Sequence, residues 1–93
     1  MQKIKIIEYG SKTCAPCQDL KMKIEVWLKH HPEVDFEYIT IEEEPELCAQ
    51  VGVLSAPTLK IFIGDKEFIS ESGCFSLERV FDKLDHFVSV LSR

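Results

Sequence analysis

The sequence predicts an α/β domain in which a four-stranded mixed sheet is flanked by three helices, in the order β-α-β-α-β-β-α. Two observations carry this prediction. Short segments rich in β-branched residues alternate with segments whose apolar residues recur at helical spacing. The last two strands are separated only by Gly64-Asp65, which is typical of a two-residue hairpin turn. Strands joined through a helix tend to be parallel and strands joined by a tight turn are antiparallel, so the sheet should be mixed.

The first two elements are a strand over residues 3–9 and a helix over residues 15–31. The apolar pair Ile6-Ile7 predicts burial on both faces of the strand, as in the centre of a sheet. The helix has one apolar face, formed by Cys17, Leu20, Ile24, Trp27 and Leu28. Pro16 is tolerated in the first turn, where its missing N–H costs nothing, and Pro32 marks the end of the helix.

The middle of the chain predicts a second strand over residues 34–41 and a short helix over residues 44–51. Apolar residues alternate along the strand and occupy both of its faces near the end. Pro45 and Gly52 bound the short helix. We expect the glutamates at its start to be solvated and to complement the helix dipole; these are Glu42, Glu43, Glu44 and Glu46.

The last part of the chain predicts a β-hairpin followed by a helix. The two strands cover residues 57–63 and 66–71, and the helix covers residues 76–91. The apolar residues of this helix keep the helical period throughout; they are Leu77, Val80, Phe81, Leu84, Phe87, Val88 and Leu91. Ser76 lies at the start of the helix, where a serine is a favourable cap.

Composition limits the classes of function open to the chain. At 93 residues, 45% of them hydrophobic and 29% charged, it is expected to be a single globular domain over residues 1–93. Its net charge of -5 predicts no nucleic-acid partner, because an acidic surface repels phosphates. No apolar segment has the length of a signal peptide or a membrane span. We therefore expect no membrane partner and a cytoplasmic location, where thiols are kept reduced.

Two of the four cysteines, Cys14 and Cys17, stand where the first strand gives way to the first helix. A helix N-terminus carries unpaired N–H donors and a partial positive charge, which stabilise a thiolate and lower the pKa of its thiol. The spacing brings the two sulfurs within disulfide reach across one helical turn. Cys14, near solvent, is the predicted nucleophile, and Cys17, on the apolar face, is the predicted resolving thiol.

Zinc binding is an alternative reading of the same pair. Structural zinc usually needs four ligands, often two such cysteine pairs. Cys48 and Cys74 are isolated in the sequence, and His30-His31 lie at the far end of the helix from Cys14. We expect Cys48, beside Leu47 in the short helix, to be a small buried residue.

Two segments of the chain resemble the thioredoxin family. Cys14-Ala15-Pro16-Cys17 resembles the family's Cys-Gly-Pro-Cys, and Val51-Gly52-Val53-Leu54-Ser55-Ala56-Pro57-Thr58-Leu59 is similar to its Tyr-Gly-Ile/Val-x-x-x-Pro-Thr-Leu. The matches span nearly the whole chain. Too few residues precede Cys14 for the first strand and helix of a full-length thioredoxin, so the resemblance is to short thioredoxins.

The resemblance implies a thioredoxin-like fold and a thiol–disulfide oxidoreductase that reduces disulfides in protein substrates. It implies no cofactor beyond the redox-active disulfide Cys14-Cys17, and a thioredoxin-reductase-type electron donor as a partner. Two alternatives share the fold. A glutaredoxin-like oxidoreductase usually holds glutathione through a Gly-Gly-x-Asp motif, whereas Cys74-Phe75-Ser76 follow Gly73 here. A non-catalytic binding module would be expected to have lost a cysteine or the proline Pro57.

The resemblance also implies a substrate groove beside the dithiol. Pro57 is expected to be cis and to face the disulfide, and Ala56 to offer its backbone to an extended substrate chain. The substrate-binding residues implied are Thr13, Ala15, Pro16, Ala56, Pro57, Gly73 and Cys74. Thr13 stands where the family usually has tryptophan. We expect Cys74 to fill its loop as a small apolar residue, with an additional reactive thiol as the alternative.

Glu8 falls where thioredoxins keep a buried aspartate, and Tyr38 where many of them have a lysine paired with it. Burial among apolar residues raises the pKa of a carboxyl, because desolvation disfavours the charge. Glu8 is therefore a candidate catalytic residue that takes the proton from Cys17 and returns it. The alternative is a carboxylate at the strand end that is exposed to water.

Overall fold

Seven elements follow one another in the predicted order in the computed structural model, which describes residues 3–91. They are β1 (Ile4–Gly10), α1 (Ala15–Leu28), β2 (Asp35–Thr40), α2 (Pro45–Gln50), β3 (Thr58–Ile63), β4 (Lys66–Ser72) and α3 (Leu77–Leu91). The ends of the predicted domain 1–93 and the side chain of Leu91 lie outside the described part. Within residues 3–91, no helix combines the length and apolar character needed to cross a membrane.

The sheet is mixed and four-stranded, with the strand order β2-β1-β3-β4. β1 pairs in parallel with β2 and antiparallel with β3, and β3 pairs antiparallel with β4. The prediction of a mixed sheet with a central first strand is confirmed, and Ile6 of that strand is fully buried.

The second helical connection departs from the expected parallel arrangement. β2 and β3 are not neighbours, and β3 runs antiparallel to β1, whereas β2 runs parallel to it. Helix α1 spans the sheet and returns the chain to the edge where β1 began, so that β2 runs parallel to β1. The six residues of α2 span only about 9 Å at 1.5 Å per residue. The chain therefore enters β3 at the edge where β2 ended.

Helices cover both faces of the sheet and create two hydrophobic clusters. The larger cluster lies under α1 and α3 and includes Ile4, Ile6, Leu20, Ile24, Leu59, Ile61, Val80 and Leu84. The smaller lies on the α2 side and consists of Tyr9, Ile39, Cys48 and Val53, with Ile7 and Ile41 packed against them. Cys48 is 1% exposed, which confirms its prediction as a small buried residue.

Helix α1 ends at Leu28, three residues before the predicted end. The chain beyond it continues as tight turns, because His30 N–H bonds to Trp27 O at 3.1 Å and His31 N–H to Leu28 O at 3.0 Å. A proline restricts the residue before it to extended conformations, which excludes His31 from a helix. Trp27 stacks on His31, with ring centroids 3.7 Å apart, and on Phe81 of α3, at 4.8 Å. The tryptophan therefore joins the end of α1 to α3 at the border of the core.

Candidate active site

Cys14 and Cys17 are joined in a disulfide at the N-terminus of α1, with their Cα atoms 5.2 Å apart. Cys14 is the N-cap residue of the helix, and its Sγ accepts a hydrogen bond from the Cys17 N–H at 3.1 Å. Cys14 is partly exposed, whereas Cys17 is completely buried. The pair therefore offers one sulfur to solvent and keeps the other beneath it, beside the helix N–H donors.

The loop that carries Cys14 is fastened to the chain after β2. The Glu42 carboxylate accepts hydrogen bonds from Ser11 Oγ at 2.9 Å and from the Lys12 N–H at 2.8 Å. These bonds, the Lys12 N–H first, lower the pKa of Glu42. We expected Glu42 to be merely solvated at a helix start. Its contacts arise because β1 and β2 are parallel and end at the same edge of the sheet.

A groove of about 330 Å³ opens next to Pro16, which stands between the two cysteines in the sequence, although neither cysteine lines it. Four predicted residues line it, namely Pro16, Pro57, Gly73 and Cys74. The Ala56-Pro57 peptide bond is cis, as predicted, and the Gly73 N–H bonds to Pro57 O at 3.0 Å. This bond brings the loop before α3 against the loop before β3. Two residues from distant parts of the chain thereby form one wall of the groove.

Ala56 lies just outside the hydrogen-bonded ladders of the sheet, because the pairings of β3 with β1 and β4 begin at Thr58. Its backbone is therefore placed where an extended segment could be added. The other predicted contact residues, Thr13 and Ala15, are exposed on either side of Cys14.

Cys74 is exposed and lines the groove, so the expectation that it fills its loop as a small apolar residue is wrong. The chain turns at Gly73, whose φ is 73°. The inward positions that follow are taken by larger side chains, since Phe75 and Leu77 pack against the core. The thiol is left at the surface beside Pro57.

Asp19 and Lys23 also line the groove, and the sequence reasoning missed them. They follow Pro16 at i+3 and i+7, so they lie on the same side of α1. That spacing was a signal that could have found them. The groove thus has one acidic and one basic side chain along its helical wall.

Glu8 is 0% exposed, which confirms its predicted burial. Its register partners are Tyr38 on β2 and Leu59 on β3, and neither carboxyl oxygen has a hydrogen-bond partner within the described chain. Burial raises the pKa of Glu8 to about 8, although the Lys21 charge lowers it and the Glu25 charge adds to the rise. Glu8 is thus mostly protonated at neutral pH and lies on the face of the sheet that α1 covers.

The zinc alternative required further ligands beside Cys14 and Cys17. Among the side chains of residues 3–90, no group of three or more histidines, cysteines, aspartates or glutamates is arranged to hold a metal ion. The remaining thiols, buried Cys48 and exposed Cys74, are free.

Comparison with known proteins decides the family. The model of the thioredoxin family matches residues 1–86. This chain belongs to the thioredoxin family. It is 34% identical over 70 residues to a thioredoxin of Methanocaldococcus jannaschii, which covers 74% of this chain and 81% of that protein. It is 25% identical over 59 residues to a thioredoxin of Streptomyces clavuligerus, which covers 63% of this chain and 55% of its relative.

Solved thioredoxin structures share the fold. The structure of thioredoxin 1 from Thermosipho africanus superposes with a TM-score of 0.87 at 25% identity, covering 96% of this chain and 99% of that one. The predicted thioredoxin-like fold is therefore confirmed. The family and the Cys14-Cys17 disulfide together support the predicted thiol–disulfide chemistry. The chain spans only about half the length of the Streptomyces relative, so substrates and partners belong to the proposal below.

Proposed function

We propose that this protein is a thiol–disulfide oxidoreductase that reduces disulfides in protein substrates through its Cys14-Ala15-Pro16-Cys17 dithiol. One observation carries the proposal. A disulfide at the N-terminus of α1 joins a partly exposed cysteine to a buried one, and Pro16 between them lines a groove together with cis-Pro57. This asymmetry gives the two cysteines different tasks.

In the first step, the Cys14 thiolate of the reduced protein attacks one sulfur of the substrate disulfide. A bond forms between Cys14 Sγ and that sulfur, and the substrate S–S bond breaks. The second substrate sulfur leaves as a thiolate and takes a proton from water. The N–H of Cys17 is placed to favour the Cys14 thiolate, since it already donates to that sulfur in the disulfide form.

In the second step, the Cys17 thiol loses its proton and attacks Cys14 Sγ. The Cys14-Cys17 bond forms, the mixed disulfide breaks, and the remaining substrate sulfur leaves as a thiolate that takes a proton from water. Two electrons have then passed from the protein to the substrate. The ionised form of Glu8 is the proposed acceptor of the Cys17 proton, because a carboxyl with a pKa of about 8 lies close to the ordinary pKa of a thiol.

The groove would hold the substrate as an added strand. The backbone of Ala56 lies outside the β3 ladders and is available to an extended chain. Pro16, Pro57 and Gly73 line the groove and would supply part of the surface that contacts this chain. Thr13, Ala15 and Cys74 would contact the substrate on either side of the reacting sulfur.

A reductase of the thioredoxin-reductase type is the proposed electron donor, and it returns two electrons and two protons to the disulfide. No cofactor beyond the disulfide takes part in the proposed exchange. We propose a cytoplasmic location, which is supported by the exposed free thiol of Cys74, since such thiols stay reduced there.

A trapping experiment tests the proposal. Cys17→Ser leaves Cys14 able to attack but removes the resolving thiol, so mixed disulfides with substrate proteins should accumulate in cell extract. Cys14→Ser is the matched control and should trap few partners. Mixed disulfides should appear on non-reducing gels and disappear when a reductant is added. Equal trapping by the two variants would remove the main support for the assignment of roles.

Insulin reduction identifies the electron donor. We expect turnover with NADPH and a thioredoxin reductase and little turnover with glutathione and glutathione reductase. Turnover with glutathione alone would instead favour the glutaredoxin-like alternative. Absence of turnover with both donors, together with absence of trapping, would favour a non-catalytic binding module.

A further inference from the structure

Tyr38 lies beside Glu8 on the face of the sheet that α1 covers. The two residues are partners in the parallel register of β1 and β2, so their side chains leave the sheet on the same side. On its other flank Glu8 has Leu59, which is fully buried. The neighbour of Glu8 on β3 is therefore aliphatic, and its neighbour on β2, an edge strand of the sheet, is aromatic.

The ring of Tyr38 occupies the space that a side chain at Gly10 would need. A Cβ atom on Gly10 would lie 2.7 Å from Cζ and 2.9 Å from Cε2 of the ring, closer than real Cβ contacts allow. Gly10 does not have a positive φ, so its backbone does not itself demand glycine. Tyr38 is thus the steric reason for a glycine at the end of β1.

Two side chains of α1 hold the ring in this place. Gln18, the residue after Cys17, donates from Nε2 to the Tyr38 hydroxyl oxygen at 3.2 Å. Lys21 places its ammonium 4.9 Å from the ring centroid. Burial raises the pKa of Tyr38, and the charge of Glu8 raises it further, which indicates that the two groups are close.

We propose that Tyr38 is a positioning residue for proton transfer, because its ring, seated over Gly10 and held by Gln18 and Lys21, closes the β2 flank of Glu8 against water. The inference rests on the proposed function, in which Glu8 exchanges a proton with Cys17. Glu8 has no hydrogen-bond partner among the described residues. Exclusion of water is then the means by which the chain keeps the pKa of this carboxyl raised, so that it exchanges a proton with a thiol.

The decisive measurement is the pKa of Glu8 in the oxidised protein, followed through its side-chain carboxyl carbon by NMR. Neither Cys14 nor Cys17 titrates in this state, so the curve belongs to the carboxyl. In Tyr38→Ala we expect the pKa to fall from about 8 toward 4.5, by about one unit or more, because water reaches the carboxylate. If Lys21 moved away from Glu8 when the ring is lost, the pKa of Glu8 would rise, but burial is the larger influence on this pKa.

Gly10→Ala provides an independent variant, since the new methyl group would push the ring off its place. It should lower the pKa of Glu8 in the parent and have no further effect in the Tyr38→Ala background. Tyr38→Phe keeps the ring and loses only the hydroxyl and its bond from Gln18, so the Glu8 pKa should stay closer to that of the parent than in Tyr38→Ala. Tyr38 is partly exposed and belongs to neither hydrophobic cluster, so these variants are expected to fold.

A Glu8 pKa that is the same in Tyr38→Ala and the parent overturns the proposal. The proposal is also overturned if Gly10→Ala lowers the Glu8 pKa as much in the Tyr38→Ala background as in the parent. These outcomes need no substrate and are separate from failure of the proposed function. Suppose that the pKa responds as expected but that insulin reduction and trapping are both absent. The proposal that the Tyr38 ring keeps water from Glu8 is then supported, and the oxidoreductase assignment fails.

Discussion

Glu8 is a carboxylic acid enclosed by apolar neighbours, and its chemistry follows from that enclosure. It is 0% exposed, and burial is the largest cause that raises its pKa to about 8. The unfolded chain would ionise the same group near its ordinary pKa of 4.5. Between these two values the folded protein binds a proton that the unfolded chain has lost, so the stability of the fold falls as pH rises through this window.

Glu8→Gln should remove this dependence on pH. The amide keeps the shape of the side chain and never ionises, so the variant should gain stability over the parent as pH rises from 4.5 to 8. The gain is expected to approach about 1.4 kcal/mol for each pH unit. Urea unfolding at a series of pH values measures it.

Glu33→Gln is the control for this prediction, because Glu33 is exposed in the turn before β2. Its stability should follow that of the parent at every pH. Parallel stability curves for Glu8→Gln and the parent would show that Glu8 does not hold its proton in the folded state.

The position and exposure of a site residue could be predicted from the sequence when the groups around it lie close in sequence. The thiol pair and its place at the helix start follow from the spacing of Cys14 and Cys17. The exposure of Cys74 did not follow, because it depends on which loop residues pack against the core. The bonds from Ser11 and Lys12 to Glu42 span about thirty residues, and only the parallel pairing of β1 and β2 brings those groups together.

At the scale of elements, α3 shows how local signals set the start of a helix. The Arg79 N–H bonds to Ser76 Oγ at 3.3 Å, which satisfies one of the helix donors that lack a backbone partner. The Val80 N–H bonds to Ser76 O at 3.2 Å and begins the helical ladder. The sequence placed Ser76 at this boundary because serine is a preferred cap.

Ser76→Ala should lower the free energy of unfolding by about 1 kcal/mol, because the Arg79 N–H loses its partner. Ser89→Ala, at an exposed position of the same helix, should change stability by less than about 0.5 kcal/mol. Urea midpoints at constant m-value compare the two. If both substitutions cost the same, the Ser76 hydroxyl does not cap the helix.

The order of the elements was predicted from strong local patterns, and their ends differ from prediction by at most three residues. The end of α1 differed most, because the helical pattern runs on past Leu28 while Pro32 already constrains the backbone before it. The predicted direction of β3 was wrong for a different reason. The short helix α2 does not span the sheet, and the chain re-enters it at the edge where β2 ended.

For the whole molecule, the Cys14-Cys17 disulfide also restrains the unfolded chain. It closes a ring across a sequence separation of three, for which loop-closure entropy gives about 2 kcal/mol of stabilisation. We therefore expect the oxidised protein to be more stable than the reduced protein by about this amount. Urea unfolding with and without reductant measures the difference.

Cys14→Ser is the control for this prediction, because it cannot close the ring and its stability should not respond to reductant. An equal response of the parent and Cys14→Ser would assign the effect to other cysteines. Equal stability of the oxidised and reduced parent would mean that the reduced site gains interactions that offset the loss of the ring.

The sequence by itself determined the order of elements, the mixed sheet and the position of the dithiol at a helix start, because hydrophobic period, turn residues and caps act over a few residues. Only the tertiary structure decided what surrounds that dithiol. It showed Asp19 and Lys23 along the groove, the hydrogen bonds from Ser11 and Lys12 to Glu42, and the ring of Tyr38 over Gly10. These contacts depend on strand register and chain direction, which set residues distant in sequence side by side.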